Sequence, residues 1–538
     1  MSLTKASFSM INGATVNVLD FGADPTGIAS SSSAVNAAVA YLQGLGGGDL
    51  FFPTGKYLFN SQIVSNTSVY GVRFMGQGGG RIAIGDRTAT TLIQNFTGTL
   101  FNINSWDMEW HNLSFTQNGS LGAGSTYIFI SPNSGFAMNA KIDSCSFYGG
   151  GQHIVAVAAN RFFVSNNMFI GDPNTTTAVY VLQSTSNNPA AVYINNNVFG
   201  TYTSLGINSK SIHFDSVDTC HVFQNESLGW GYGLYVTKSG AYTNNLIHVY
   251  NNNFEVCQQY GISMTTGGNV WIDENEIVGG IGTTAIQGIS TNSISNLNIA
   301  NNTITGYQQE AVYCAAGTQI TIANNKINDV SQQTDGTYAA VNLPNFTRGT
   351  ITGNLFSSND NQANKPSAYV RVSNLSSDIT ISGNRYNPNC PLFLNDGTAT
   401  NITAFDAAYS LSPPFKSTYN SGAIALSASK DVVTATTGTV DLTIPINTVF
   451  GSTGKFSGIV TVTNIANSLF TTNTTTVFSV SGGGTTATFT SLNSTNGGTG
   501  AAAFTMSMAS NGVIRMTNNL ATETNATVAF FGIAGAGS

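Results

Sequence analysis

One short pattern constrains this chain more than any other feature. An apolar residue is followed by two residues of any kind, an asparagine, one further residue and a second apolar residue. It runs from Val164 to Phe169 around Asn167, and recurs around Asn197, Asn252, Asn275, Asn302, Asn325, Asn354 and Asn384, with a partial copy at Asn225. Successive asparagines stand 30, 28, 27, 23, 27, 23, 29 and 30 residues apart. That interval suits one turn of a coil made of three short strands and three bends, where bends accept insertions and strands do not. Asparagine tolerates the left-handed backbone a sharp bend needs. Stacked from turn to turn, its amide offers donors and acceptors that satisfy one another when buried. Apolar runs between the copies, Ala178 to Leu182, Leu234 to Val236, Gly261 to Met264, Ala311 to Cys314 and Ala368 to Val372, supply the third strand. The expected fold is all-β, a right-handed parallel β-helix, which is a solenoid. Propeller blades, at about 40–50 residues each, are too long for this interval.

Composition agrees. Charged residues make up 8% of the chain, with 41% apolar residues and 58 glycines, against about 25% charged in an average soluble domain. Too few Glu, Lys and Arg remain for a helical protein. The 538 residues also exceed the roughly 250–300 at which one globular core stops growing. With 18 Lys and Arg against a net charge of −7 and no basic run, nucleic acid is not an expected partner. No apolar stretch reaches the roughly 20 residues of a membrane span. The first ten residues lack the apolar core of a secretory leader, so synthesis in the cytoplasm is expected. Cys145, Cys220, Cys257, Cys314 and Cys390 have no metal-ligand spacing and read as buried free thiols.

The chain divides into a linker over 1–15, an opening segment with a capping helix over 16–60, coils over 61–400, a linker over 401–420 containing Pro413 and Pro414, and a C-terminal antiparallel β-sandwich over 421–538. The helix is expected from the serines at 30–33 through Ala34 to Leu42, where serine is capping chemistry and Gly44 to Gly48 stop it. The sandwich is read from alternating strands at 438–444 and 458–463. Its tail, Val528 to Ile533, is apolar enough to pack on a neighbouring chain.

The segment Val16 to Gly27 (VNVLDFGADPTG) resembles the opening motif of the pectate-lyase-like β-helix superfamily, as does Gly46 to Tyr57 (GGGDLFFPTGKY). Ser7 to Ala14 (SFSMINGA) resembles the segment leading into the β-helix of bacteriophage tailspike proteins. The family often carries aspartates before the capping helix, where this chain has GIASSSS over 27–33. The resemblance implies a homotrimer in the virion tail that binds bacterial surface polysaccharide and usually cleaves it. The tailspikes' large head-binding domain has no room before residue 15, so either this chain is a trimmed form or attachment to the tail or baseplate is through a short N-terminal peptide.

Acidic residues are scarce, so their clustering is informative. His213, Asp215 and Asp218 begin one group, Glu226 and Glu255 follow, and Asp273 and Glu276 close it. Trp230, Tyr232, Tyr235 and Tyr260 are interleaved. Glycoside hydrolysis needs two carboxyl groups, about 5–5.5 Å apart for retention or about 6.5–9.5 Å for inversion. Neighbouring coils supply such distances; Glu226 and Glu276, two coils apart, are expected about 10 Å from one another. The catalytic candidates are Asp215 with Asp218 and Glu226 with Glu255. The substrate-binding candidates are His213, Trp230, Tyr232, Tyr235, Lys238, Tyr260, Asp273 and Glu276. Near these acids the only lysines are Lys210 and Lys238, which favours hydrolysis over the β-elimination of a uronate lyase. An acidic balance also suits a neutral or amino-sugar glycan. Asp273, Glu274 and Glu276 offer oxygen ligands but no recognised Ca²⁺ loop, so neither metal nor cofactor is expected. A lyase, a non-catalytic receptor-binding fibre and a cellular pectin-degrading enzyme are the alternatives, and a groove within one chain and one between chains of a trimer both fit.

Overall fold

The structure, a computed structural model, describes residues 15–405 except 66–70, 79–88, 133–134, 202, 281–284, 359–362, 374, 388–392 and 397–398, and beyond them the segments 417–418, 424–434, 439–443, 455–464, 474–483, 486–494, 504–510, 513–518 and 524–535. The segment Ser7 to Ala14, Cys390 and most of the 401–420 linker lie outside the described residues. Two compact units result, residues 1–346 with 354–371, and residues 347–353 with 372–538.

The first unit is a solenoid of parallel strands. Each coil lays one strand on each of three ladders, and the inward positions stack in register. Ile212, Leu234, Ile262, Ile289 and Val312 follow one another on the first ladder. Val222, Val249, Ile272, Ile299 and Ile322 do so on the second. Phe199, Ser227, Phe254, Ile277, Ile304 and Ile327 do so on the third. All are buried. In the earlier coils the third ladder carries Phe115, Phe147, Phe169 and Phe199, whose rings stack 4.7, 4.9 and 4.8 Å apart. Where small residues carry the chain around the bend, two ladders share one unbroken strand, as in Tyr260–Asp273 with Gly267 and Gly268 inside it.

The asparagine ladder occupies the bend between the second and third strands. From Asn167 to Asn354 each amide nitrogen donates to the Oδ1 of the next ladder residue at 2.9–3.0 Å. The same Oδ1 accepts the preceding asparagine's backbone N–H, as from Asn225 to Asn252 at 3.1 Å. The left-handed residue is not the ladder asparagine but the one before it: Asn166, Asn196, Gln224, Asn251, Glu274, Asn301 and Asn324 all have φ of 53–58°. The ladder residue thereby keeps its side chain turned into the coil, and its neighbour makes the sharp turn.

At the N-terminal end, Asp24 shapes the opening motif. Its carboxylate accepts from the Thr26 hydroxyl at 2.7 Å and from the N–H groups of Thr26, Ile28 and Ala29. The Thr26 hydroxyl and these amides hold its pKa down at about 2. The helix runs over Ser32–Gly44 and buries Val35, Ala38, Val39 and Leu42. Ser31 makes no side-chain cap to it; its hydroxyl accepts the Asp24 N–H at 3.0 Å, so the serines tie the helix to the opening motif instead.

In the second unit, Thr347 to Thr352 pairs in parallel with Ser377–Ser382, which pairs in parallel with Thr400–Phe405. From Ser417 onward the strands pair antiparallel. Ile424–Thr434 pairs with Thr524–Gly535, which pairs with Lys455–Asn464, and Thr474–Gly483 and Thr486–Ser494 follow. A smaller sheet joins Thr439–Thr443, Val513–Asn518 and Phe504–Ser510, with Arg515 bidentate on Asp441 at 2.7 Å. The apolar tail from Val528 to Ile533 lies inside one paired strand; its side chains are outside the described residues.

Candidate functional site

Apart from the buried Asp215 and Trp230, the candidate residues fall on three outward faces of the first unit. On the third ladder, strand alternation leaves Glu226 exposed, buries Ser227 and exposes Leu228. Glu226 is in register with Asn253, and Asn253 with Glu276. Two strand spacings put Glu226 and Glu276 roughly 10 Å apart. Glu255 lies diagonally across from Glu226, opposite Leu228, roughly 8 Å away from strand spacing and rise. The Asn253 amide donates to Glu255 Oε1 at 2.8 Å. Its own buried Oδ1 has no partner. A groove of about 530 Å³ runs along this face and is lined by Glu226, Glu274, Glu276, Asn253 and the ladder bends. A second hollow of about 490 Å³ lies at the far ends of these strands, lined by Thr201, Thr203, Ser204, Gly229, Val256 and Gln258.

The first ladder carries a different chemistry. Tyr180, His213 and Tyr235 are in register, their rings 4.3 and 5.0 Å apart. Lys210, Tyr232, Tyr260 and Gln287 form the adjoining column, with Tyr232 and Tyr260 stacked at 5.3 Å. Lys210 Nζ lies 5.9 Å from the Tyr232 ring and 5.5 Å from the Tyr235 ring. Burial, then the charge of Lys210, pushes the His213 imidazole down to about 4, against a smaller upward pull from Asp215. Burial pushes the Tyr180 and Tyr232 hydroxyls up to about 12. At the far end Glu310 is buried, its carboxylate accepting from Gln287 Nε2 at 2.7 Å and Asn342 Nδ2 at 3.1 Å.

The second ladder shows a stripe of half-exposed rings at Phe163, Tyr193, His221, His248 and Trp271, spaced 5.2, 5.1, 5.1 and 4.3 Å apart. Asp218 opens one of its strands and accepts from Asn245 Nδ2 at 3.3 Å. Asp273 ends another and accepts from Asn301 Nδ2 at 2.8 Å.

The fold therefore brings Glu226, Glu255 and Glu276 together, and His213, Tyr232, Tyr235 and Tyr260 together on another face. Asp215 and Asp218 flank one bend. Asp215 is buried, with Oδ1 taking the Ser239 N–H at 2.8 Å and Oδ2 the Ser239 hydroxyl at 2.5 Å. Lys238 stands exposed in the same loop. Trp230 corrects the sequence reading: it is fully buried and edge-on to Phe199, a core residue rather than a surface for sugar. Tyr180, Glu310 and the ring stripe were missed, and Glu274, weighed only as a cation ligand, lines the groove. The stripe was recoverable, since each of its members stands four positions before a ladder asparagine.

Two family models match. Residues 210–386 match one described as right handed beta helix region, and residues 15–99 match one described as rhamnogalacturonase A/epimerase, pectate lyase-like. The solenoid has the fold of a right-handed parallel β-helix. No curated protein sequence matches. Among solved structures, the β-helix chain is similar to the Dettilon tailspike protein (11% identity, 96% of this chain and 94% of that one, TM-score 0.44). It is also similar to the tailspike of Acinetobacter phage vB_ApiP_P1 (13%, 96% and 87%, 0.33) and to the A-module of the Azotobacter vinelandii mannuronan C-5 epimerase AlgE6 (15%, 73% and 100%, 0.38).

Proposed function

We propose that this β-helix is a tailspike-type depolymerase that binds bacterial surface polysaccharide and cleaves it by endo-acting hydrolysis. The observation that carries the reading is the groove on the third ladder, lined by Glu226 and Glu276, with Glu255 facing outward beside it on the strand between them. The backbone positions of Glu226 and Glu255, roughly 8 Å apart, allow their carboxyl groups the separation of an inverting pair, with room for a water molecule. Glu255, held by the Asn253 amide, is the base that takes a proton from that water. Glu226 is the acid that protonates the departing glycosidic oxygen.

The tyrosine face supports the same choice. A lyase needs a base poised near neutral pH, whereas His213 is held at about 4, a weak base, and Tyr180 and Tyr232 stay protonated up to about 12. Around this core the reading includes a homotrimer in the phage tail, attached through the N-terminus. The Ser32–Gly44 helix closes the first coil, and the two antiparallel sheets near the C-terminus pack as a sandwich for trimerisation or glycan binding. Release of reducing ends from a panel of purified bacterial polysaccharides tests the reading. One member of the panel is expected to be cut, and Glu255→Gln is expected to lower kcat at least about a hundredfold. Wild-type release from none of them, or full activity in both Glu226→Gln and Glu255→Gln, refutes it.

A further inference from the structure

The half-buried ammonium of Lys210 has no role in the hydrolytic pair and no ionic partner. Among the described residues no carboxylate lies within ion-pair distance of its Nζ. It is held over two tyrosine rings, which attract a cation but do not neutralise it. The nearest acid along its strand, Asp215, has both oxygens occupied by Ser239 and Ser216. His213 beside it, uncharged at neutral pH, supplies no second charge. This chain has 25 acidic against 18 basic residues, so a partner for one cation is not scarce. A half-buried charge that is desolvated and unpaired is costly, and the arrangement makes sense when the missing partner is a ligand.

The same two coils carry this face and the acidic groove. Glu226 leads through Gly229 to Tyr232, and Glu255 leads through Gln258 to Tyr260. The hollow at the corner, lined by Gly229, Gln258, Thr203 and Ser204, contains no charged side chain. This corner lies in the chain between Glu226 and the Tyr232 position that is in register with Lys210.

We propose that Lys210 is the anchor for an anionic substituent, carboxylate or phosphate, on a glycan whose sugars lie against Tyr232 and Tyr260, so that the substrate is an acidic polysaccharide. The inference rests on the reading that the chain acts on polysaccharide, and it replaces the expectation of a neutral sugar. An ammonium donating to an anion makes a charge-assisted contact, and the flanking rings keep water from competing.

The test is equilibrium binding of the intact protein to the purified polysaccharide panel, each polymer offered native, carboxyl-reduced and dephosphorylated. The tightest ligand is expected to be acidic. Removing its acidic group and replacing Lys210 with Met are each expected to weaken binding roughly tenfold or more, and the two losses are not expected to add. Lys210→Arg restores most of the affinity, and which chemical treatment weakens binding distinguishes carboxylate from phosphate. A neutral tightest ligand, or a Lys210→Met variant that binds the native acidic polymer as wild type does, overturns the assignment while leaving the depolymerase reading intact if cleavage persists. Binding to no polymer overturns both.

Discussion

Replacing one ladder asparagine tests the physical basis of the fold. Asn252 donates from Nδ2 to Asn275 Oδ1 and to the Val222 carbonyl, both at 2.9 Å. Its Oδ1 accepts from Asn225 Nδ2 at 2.9 Å and from the Asn225 N–H at 3.1 Å. In Asn252→Ala the methyl group replaces all of this inside a bend that water does not reach. The Asn225 N–H and the Val222 carbonyl lose these partners, and each buried orphan costs about 1–3 kcal/mol. The sum, with a small cavity, is about 3–5 kcal/mol. Because solenoid coils contact only their neighbours, the loss is local and a single global unfolding energy is a poor measure of it. Native-state hydrogen exchange reads it coil by coil. Backbone amides of residues 225, 252 and 275 are expected to exchange about a hundredfold faster or more, since each 1.4 kcal/mol is tenfold. Surface Asn95, which bridges Asn60 and Asn118 at 2.8 Å, is the control, and Asn95→Ala is expected to cost under about 1 kcal/mol. Exchange in Asn252→Ala no faster than in Asn95→Ala refutes the argument that the buried ladder holds the coils.

Three further outcomes are expected. His153 is fully buried among Phe147, Phe169 and Tyr127, and burial pushes its pKa down to about 3 from 6.5. The unfolded chain therefore binds the extra proton, so this contribution is intact above pH 6.5 and is lost as pH falls towards 3, roughly 5 kcal/mol in all. Melting as a function of pH in His153→Phe should show an acid slope shallower by about one proton, and an unchanged slope contradicts this. In Gly261→Ala the new Cβ would sit 2.4 Å from Ile277 Cγ2 and 2.9 Å from the Gly288 oxygen, so a loss of about 1–3 kcal/mol is expected from thermal melts. In Asp215→Asn one oxygen that accepts from Ser239 becomes a donor, which is expected to lower stability by about 1–3 kcal/mol. Wild-type stability with a thousandfold loss of kcat would instead mark Asp215 as catalytic.

The fold was legible in the sequence because the ladder asparagine repeats a physical demand once per coil. Its exact backbone role was not. The left-handed position belongs to the preceding residue, which is asparagine in five coils but Gln224, Glu274, Gly353 and Gly383 in the others, so residue identity alone pointed to the wrong member of the pair. The outward face of the third ladder was readable because Glu226, Glu255 and Glu276 lie in or near the repeat itself. The tyrosine face was only partly readable. Tyr180, His213 and Tyr235 stand 13, 16 and 10 positions after their ladder asparagines, because the intervening bend changes length and breaks the column. Glu310 is a lone acid whose amide partners come from strands 23 and 32 residues away, a separation no local pattern records. Trp230 followed the opposite course. Its place among tyrosines suggested a surface, but the phase of the strand and the bend turned it inward.

The central claim is that the carboxylates of the third-ladder groove hydrolyse a polysaccharide. Digestion of the cleaved panel member in H₂¹⁸O, with fragments analysed by mass spectrometry and ultraviolet absorbance, tests it most directly. Hydrolysis inserts one water across each broken bond, so each new reducing end is expected to carry one ¹⁸O, with no new absorbance, and Glu226→Gln and Glu255→Gln are expected to abolish the labelled fragments. Unsaturated, ultraviolet-absorbing fragments without the isotope would show β-elimination and contradict the account, moving the chemistry to the tyrosine face.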